Sequence, residues 1–166
     1  MREKYIEECA IIHQNCTYTA EAHHLVAATS KRRGFWLQIV PAICAAVSSA
    51  FVAAGYAPNG VLVFTLLSAT TSAVAAVLNP NLAYQEHLAA AKSFTALKHD
   101  ARFLRDAHAT KLSDEGLVIA VENLHNRYNE LLKTVPPTEE KYFLKARQSI
   151  QRGFHEADLD ESGNIK

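Results

Sequence analysis

Residues 34–85 read GFWLQIVPAICAAVSSAFVAAGYAPNGVLVFTLLSATTSAVAAVLNPNLAYQ and contain no Lys, Arg, Asp or Glu. In the whole chain, 20% of the residues are charged, so a gap of 52 residues is a strong signal. A helix at the surface of a soluble protein turns one face to water and carries charges every turn or two. The remaining part of a 166-residue chain is too small to cover such a stretch. The sequence therefore predicts that residues 34–85 lie in a membrane.

The charge-free stretch divides into two candidate spans at Ala57-Pro58-Asn59-Gly60. Proline and an Asn-Gly pair are typical of tight turns. The first span, residues 35–57, would reach ~35 Å as a helix, which exceeds the ~30 Å hydrocarbon core of a bilayer. The second span, residues 61–78, lies at the short end of the ~17–25 residues that a spanning helix needs. We therefore expect a two-helix transmembrane hairpin.

The orientation of the hairpin follows from its flanking charges. Lys31-Arg32-Arg33 precedes the first span directly, whereas the loop between the spans carries no charge. Basic residues favour the cytoplasmic side of a membrane, so both termini are expected in the cytoplasm. The stretch begins too far into the chain, and is too long, for a cleaved signal peptide. With Cys9 and Cys16 in the cytoplasm and Cys44 in the membrane, a disulfide framework is not expected.

Apolar residues at helical spacing outside the hairpin predict four further helical segments and no strand. Residues 1–33 form an N-terminal cytoplasmic helix, residues 86–157 form a cytoplasmic helical bundle, and residues 158–166 form an acidic tail. The fold class is thus all-α, and the stripes pack either within one subunit or against another copy. The stripes are Tyr5, Cys9, Ile12, Cys16, Thr19, His23 and Val26; Phe94, Leu97, Ala101 and Leu104; Leu117, Val121, Leu124, Tyr128 and Leu131; and Phe143, Ala146, Ile150 and Phe154.

Hydroxyl side chains within the spans are candidates for the lining of a pore. Ser48 lies in the first span, and Thr65, Ser68 and Ser72 lie in the second. Several copies would have to assemble, since two helices cannot enclose a channel. Alternatively, these hydroxyls bond to their own helix or hold the two helices together.

The order of these parts resembles the SLATT domains, two-transmembrane effector modules of bacterial conflict systems. The resemblance covers roughly residues 5–155. It is carried by Lys31-Arg32-Arg33-Gly34-Phe35-Trp36 at the entry, by the short hairpin rich in Ala, Ser and Thr, by Leu78-Asn79-Pro80 at the exit, and by the helix around His87, Ala91, Phe94 and Leu97.

The resemblance implies an antiphage effector that oligomerises and forms a pore in, or disrupts, the bacterial inner membrane. It also implies control by a cyclic nucleotide that a separate partner synthase makes. Membrane lipid, further copies of the chain and a cyclic oligonucleotide are then the expected partners. The alternative is a membrane-anchored helical scaffold or sensor without pore activity.

A nucleotide ligand would need cations for its phosphates and flat side chains for its bases. Lys98, Arg102 and Arg105 share one helix face, and Arg127 with Tyr128 forms a second candidate pair. The alternative is that these cations are solvated or paired with nearby carboxylates, since Asp100 and Asp106 are close in sequence.

Enzymatic and metal chemistry are not expected from the motifs. The chain has eight histidines, but none shows a metal-ligand spacing with an acidic or Cys partner, and no phosphate-binding glycine loop occurs. No cofactor is expected. Basic and acidic residues balance at 17 each, so nucleic-acid polymers are not expected partners. The tail from Asp158 resembles the start of an EF-hand loop but ends before its bidentate Glu, so weak calcium affinity at best is expected.

Overall fold

The computed structural model describes residues 2–55 and 58–152. Every regular element in this part of the chain is helical, which confirms the all-α prediction. The acidic tail, residues 158–166, lies outside the described residues. The elements are α1 (Arg2–Ala53), α2 (Pro58–Leu78), α3 (Pro80–Phe103), a π-helical turn (Leu104–His108), α4 (Asp114–Thr134) and α5 (Glu140–Gln151).

The break between the two hairpin helices lies slightly earlier in the chain than the sequence predicted. α1 ends at Ala53 and not near residue 57, and α2 begins at Pro58 and not at residue 61. Gly55 has a φ of 69°, a left-handed conformation that glycine adopts without steric penalty. Proline suits the first turn of a helix, where its missing N–H has no intrahelical acceptor. Pro58 therefore starts α2 and does not interrupt it.

The chain forms two compact units that divide its long helices. The bundle unit consists of Met1–Leu25 and His87–Lys166, and the hairpin unit consists of Val26–Glu86. Both α1 and α3 contribute residues to each unit. The boundaries of these units lie at Leu25 and His87, whereas the charge pattern suggested divisions after residues 33 and 85. The hairpin unit thus includes the last polar turns of α1 before the charge-free stretch.

The bundle unit packs three of the predicted apolar stripes against one another. The ring of Phe94 is fully buried and contacts the rings of His23 and Tyr128, with centroid distances of 5.8 and 6.4 Å. The stripes therefore form a core within a single chain, as one of the two packing alternatives proposed. The buried core comprises Cys9, Ile12, Cys16, Ala20, Phe94, Leu97, Ala101, Ala109, Leu117, Val121 and Leu124.

α5 presents a different face to the bundle than its predicted stripe. Tyr142 and Ala146 are buried, whereas Phe143 remains 43% exposed and stacks on Tyr18 at a centroid distance of 6.5 Å. Ala146 lies at the centre of the contact, and Tyr142 is one turn before it on the same face. Ser149 continues this face and donates a hydrogen bond to Glu21 at 3.2 Å. The buried face of α5 thus retains Ala146 from the predicted stripe but includes Tyr142 in place of Phe143.

Truncating the buried aromatic ring at the centre of the bundle tests this core. We expect Phe94→Ala to lower the free energy of unfolding by ~3–5 kcal/mol, because the cavity would remove the contacts with His23 and Tyr128. Phe103→Ala is the matched control, since Phe103 is 58% exposed and its loss should change stability by less than ~1 kcal/mol. Chemical denaturation of both variants in mild detergent provides the measurement. Equal losses for the two variants would contradict the assigned core.

Candidate functional site

The hairpin exposes apolar side chains on its outer surface. None of the residues of α2 is buried. Two helical stretches, Arg2–Ala53 and Pro58–His108, are long and apolar enough to cross a membrane by length and composition. Large exposed apolar residues of the hairpin unit are Phe35, Trp36, Ile43, Val52, Leu62, Val63, Leu66, Leu67, Val74, Val77, Leu78 and Leu82.

The two hairpin helices meet along one narrow seam. On α1 the seam consists of Pro41, Cys44 and Ser48, which are buried at four- and three-residue spacing. Near the tip, the rings of Phe51 and Phe64 pack edge to face at 5.6 Å. A Cβ atom on Gly60 would lie 3.2 Å from the Phe51 ring, so glycine permits the close approach of the two helices here. The large apolar side chains named above lie outside this seam.

Three of the four pore-lining candidates lie at this seam and are hydrogen-bonded. The hydroxyl groups of Ser48 and Thr65 are 2.9 Å apart, and Thr65 also donates to the carbonyl oxygen of Val61 at 2.8 Å. Ser68 donates to the carbonyl oxygen of Pro41 at 3.1 Å. These bonds join α1 to α2, which is the role that the alternative interpretation gave them.

Ser72, the fourth pore-lining candidate, differs in position. Its side chain is exposed, one turn beyond the half-buried Ser68. Its neighbours Thr70 and Thr71 donate their hydroxyls to carbonyl oxygens of their own helix, at 2.7 Å each. Thr65 is exposed as well but bonds to Ser48 across the seam, so Ser72 is the exposed candidate without a bond to α1 among the described residues.

Three of the nucleotide-binding candidates gather around one histidine of α1. The positive charges of Lys98, Arg102 and Arg105 each lower the pKa of His13, although burial of the imidazole is the larger cause. Arg105 lies within the π-helical turn, in which Ala109 donates its N–H to the carbonyl oxygen of Leu104 at 2.8 Å. Such π-helical turns frequently occur at functional sites. The spacing in the sequence indicated the shared face but not this turn.

Two of the candidate cations already have carboxylate partners. Arg105 donates to both carboxylate oxygens of Asp106, at 2.6 and 3.1 Å, and this hydrogen-bonded pair raises the pKa of Arg105 and lowers that of Asp106. Arg127 reaches the carboxylate of Asp100 at 2.8 Å and so connects α4 to α3. An anionic ligand would have to compete with these carboxylates.

Tyr128 occupies a packing position and not a ligand-facing one. Its ring is half-buried and lies edge-on to Phe94 at 6.4 Å, as part of the bundle core. Burial raises the pKa of its hydroxyl, which lies within hydrogen-bonding reach of Asn15. Lys98, Arg102 and Arg105 all act electrostatically on His13, whereas Tyr128 packs against the bundle core.

A buried histidine pair in the bundle unit was not predicted from the sequence. The Nδ1 atoms of His23 on α1 and His87 on α3 are 2.9 Å apart, and the two residues are 1% and 8% exposed. One Nδ1–H must donate to the other, unprotonated Nδ1. Both residues lie on the apolar faces of their helices, and that placement is the sequence feature that could have indicated their burial.

The pair favours neutral imidazole on His23. Burial, with smaller contributions from the neighbouring His87 and His24, lowers the pKa of His23 to about 4. If both imidazoles were protonated, two cations would face each other in a buried site with no acceptor between them. Holding α1 against α3 in the bundle therefore depends on at least one neutral imidazole.

The described residues were compared with the ligand sets that hold metal ions, and the cysteines with reactive thiols. Residues 2–55 and 58–152 contain no group of three or more His, Cys, Asp or Glu side chains that would hold a metal ion. Burial raises the pKa of the Cys16 thiol to about 12, so this group is a poor nucleophile at neutral pH. All three cysteines are free and buried.

Comparison of the chain with protein-family models, with curated proteins and with solved structures finds no match.

The histidine pair predicts how the stability of the bundle depends on pH. His23 titrates near pH 6.5 in the unfolded chain and at about 4 in the folded one, so folding should weaken as the pH falls from 6.5 to 4. Above pH 6.5 both states are neutral at this residue and its contribution is constant. The full loss amounts to about 3 kcal/mol.

Substitution by a residue that does not titrate provides the test. In His23→Asn the side-chain amide lies near the position of Nδ1, and we expect stability to fall less between pH 6.5 and 4 than in the unmodified chain. His24→Asn is the matched control, because His24 is exposed and adjacent. Denaturation curves at several pH values measure both differences. A parallel decline for all three proteins would exclude this role for His23.

Proposed function

We propose that this chain inserts into the bacterial inner membrane through its two-helix hairpin, with both termini in the cytoplasm. The observation that carries this proposal is that α2 buries none of its residues within the chain. Exposed apolar surface of this extent needs an apolar partner, either lipid or another membrane helix. A bilayer offers no water to bond with backbone N–H and C=O groups. In a helix these groups bond to one another, so the hairpin helices meet this requirement.

The proposed orientation rests on the distribution of charge. Lys31, Arg32 and Arg33 are exposed at one end of the first span, and the connection at the other end carries no charged residue. The bundle unit carries nearly all of the remaining charged residues, which suits the aqueous cytoplasm.

We further propose that several copies assemble into a membrane-disrupting pore that serves in antiphage defence. The resemblance to SLATT effectors supports this activity, and the exposed position of Ser72 supports a polar line on an outer face of α2. In such an assembly the Ser48–Thr65 bond would hold each hairpin together. The pore would form between hairpins and not within one.

Control by a cyclic nucleotide from a partner synthase is the remaining part of the proposal. Lys98 and Arg102 both act electrostatically on His13, and neither forms an ion pair within residues 2–55 and 58–152, although Arg102 lowers the pKa of Asp106. Two unpaired cations on one face suit a phosphodiester ligand. Arg105 and Arg127 would contribute only after releasing Asp106 and Asp100.

The alternative function, a membrane-anchored scaffold or sensor, is favoured by one specific observation. Three of the four candidate hydroxyls in the spans are bonded within the hairpin, so most of the polarity of the spans serves packing. In a scaffold the hairpin would only tether the bundle. The two functions differ in whether the membrane potential changes.

The membrane potential of bacteria that express the chain tests pore formation. We expect depolarisation, reported by a potential-sensitive dye, and we expect Ser72→Leu to abolish it because leucine removes the exposed hydroxyl. Thr65→Val is the matched control, since it removes a hydroxyl at the seam and should leave most of the depolarisation. Extraction of membranes at alkaline pH verifies insertion of each variant. An inserted protein that never changes the potential would establish the scaffold instead.

The nucleotide site is tested by removing its two unpaired cations. Lys98→Gln with Arg102→Gln should abolish the effect of a co-expressed cyclic-oligonucleotide synthase on the membrane potential, while alkaline extraction shows unchanged insertion. Arg127→Gln is the control, because its guanidinium is already paired with Asp100. If the double variant responds to the synthase as the unmodified chain does, the ligand does not bind at this face.

A further inference from the structure

Three consecutive cations and two aromatic residues form an exposed group where α1 enters the charge-free stretch. Lys31, Arg32 and Arg33 are all exposed, and Phe35 and Trp36 are 56% and 53% exposed. Their rings pack edge to face at 5.6 Å. We call these five residues the basic collar. All of them belong to the hairpin unit.

The collar is anchored against the first turns of α3. Gly34 is buried within it, and a Cβ atom there would lie 3.0 Å from the side-chain oxygen of Asn81. The ammonium group of Lys31 lies 5.8 Å from the ring centroid of Tyr84, a cation–π contact. The start of the apolar segment of α1 and the end of α2 therefore lie side by side. The contacts fix one side of the collar and leave its outer side open.

The charges of the collar are not neutralised within the hairpin unit. No acidic residue occurs between Glu21 and Glu86, so Glu86 is the single carboxylate of this unit against three cations. None of the three collar cations forms an ion pair with any other residue in the described ranges, 2–55 and 58–152. Charge complementarity therefore calls for an external anion.

The geometry of the collar selects the kind of anion. Arg32 and Trp36 are four residues apart on α1, so the guanidinium and the indole lie on the same face. A guanidinium matches the oxygens of a phosphate in a two-point contact. Indole rings favour the boundary between headgroups and acyl chains. A ligand that satisfies both carries a phosphate attached to an apolar body.

We propose that the basic collar binds the phosphate headgroup of an anionic phospholipid. The outer guanidinium groups contact the phosphate, and the exposed aromatic rings lie against the acyl chains just below it. This inference rests on the proposed membrane insertion, and it adds a lipid class and a set of residues to it. Free inorganic phosphate offers the same oxygens but nothing for the aromatic rings to contact.

Trp36 provides a direct measurement, because it is the only tryptophan in the chain. The full-length protein in neutral detergent is titrated with short-chain phosphatidylglycerol, and the fluorescence of Trp36 is recorded. We expect a saturable change that phosphatidylcholine and inorganic phosphate do not produce, and that weakens as salt is added. Because the protein is in detergent, its orientation in a bilayer cannot contribute to the fluorescence change. An equal response to phosphatidylglycerol and phosphatidylcholine would overturn the proposal.

Removing the two outer guanidinium groups identifies the residues responsible. In Arg32→Gln with Arg33→Gln, the concentration of phosphatidylglycerol at half-saturation should rise roughly 30-fold. Lys92→Gln with Lys133→Gln is the matched control, since it also removes two exposed cations, but from the bundle unit. Circular dichroism verifies helical structure in both. If the two double variants bind alike, the collar is not the site; a response to inorganic phosphate as strong as to the lipid would reassign it to free anions.

The failure of this inference is distinguishable from the failure of the proposed function. Alkaline extraction of membranes reports insertion without reference to the collar. A chain released by that treatment would refute insertion, and the lipid proposal with it. A chain that stays in the membrane while Trp36 does not distinguish the two lipids would refute the collar site alone.

Discussion

The apolar surface of the hairpin is the constraint on which the rest of the structure depends. α1 and α2 touch along a single seam, so one chain covers only a minor part of either helix in this region. Water would have to contact the remainder, at a free-energy cost that grows with the exposed apolar area. A bilayer or a set of neighbouring hairpins removes that cost. All charged residues of the chain lie outside residues 34–85, which is consistent with this requirement.

The polar groups of the hairpin are arranged so that its seam needs no water. Ser48 and Thr65 bond to each other, and Ser68 bonds to the carbonyl oxygen of Pro41. These bonds place hydroxyls where small side chains already let the helices approach closely. Any water-filled path must consequently use another face of α2. Ser72 lies on that face, and each copy would contribute one such hydroxyl. The number of hydroxyls available to line a pore therefore depends on how many copies assemble.

The sequence predicted those features that depend on local spacing. The charge gap predicted the apolar helices, and residues such as Cys9, Phe94 and Leu124 lie in the core because helical periodicity defines a face without reference to distant segments. Ser113 caps α4 in the same local way and accepts a hydrogen bond from the N–H of Gly116, three residues later, at 3.1 Å. These features are fixed within a few residues of one another.

Features that depend on contacts between distant residues were not predictable from the sequence. His23 and His87 are far apart in the chain, and only the packing of α1 on α3 brings their Nδ1 atoms together. On α5, Tyr142 and Phe143 are adjacent aromatic residues, so a rotation of one position decides which is buried. The candidate cations of α3 and α4 had carboxylates nearby in sequence. Spacing alone did not decide between a solvated and a paired side chain.

The two units differ in how their cations are satisfied. In the bundle unit Arg2 pairs with Asp114, and Arg127 pairs with Asp100, so each helix supplies counter-charges to another. In aqueous solvent such exposed pairs contribute little stability but keep the surface near neutrality. The hairpin unit has no comparable supply of carboxylates, and its three cations are concentrated at one end. An excess of positive charge beside an uncharged apolar surface is electrostatically complementary to an anionic boundary of a non-aqueous phase.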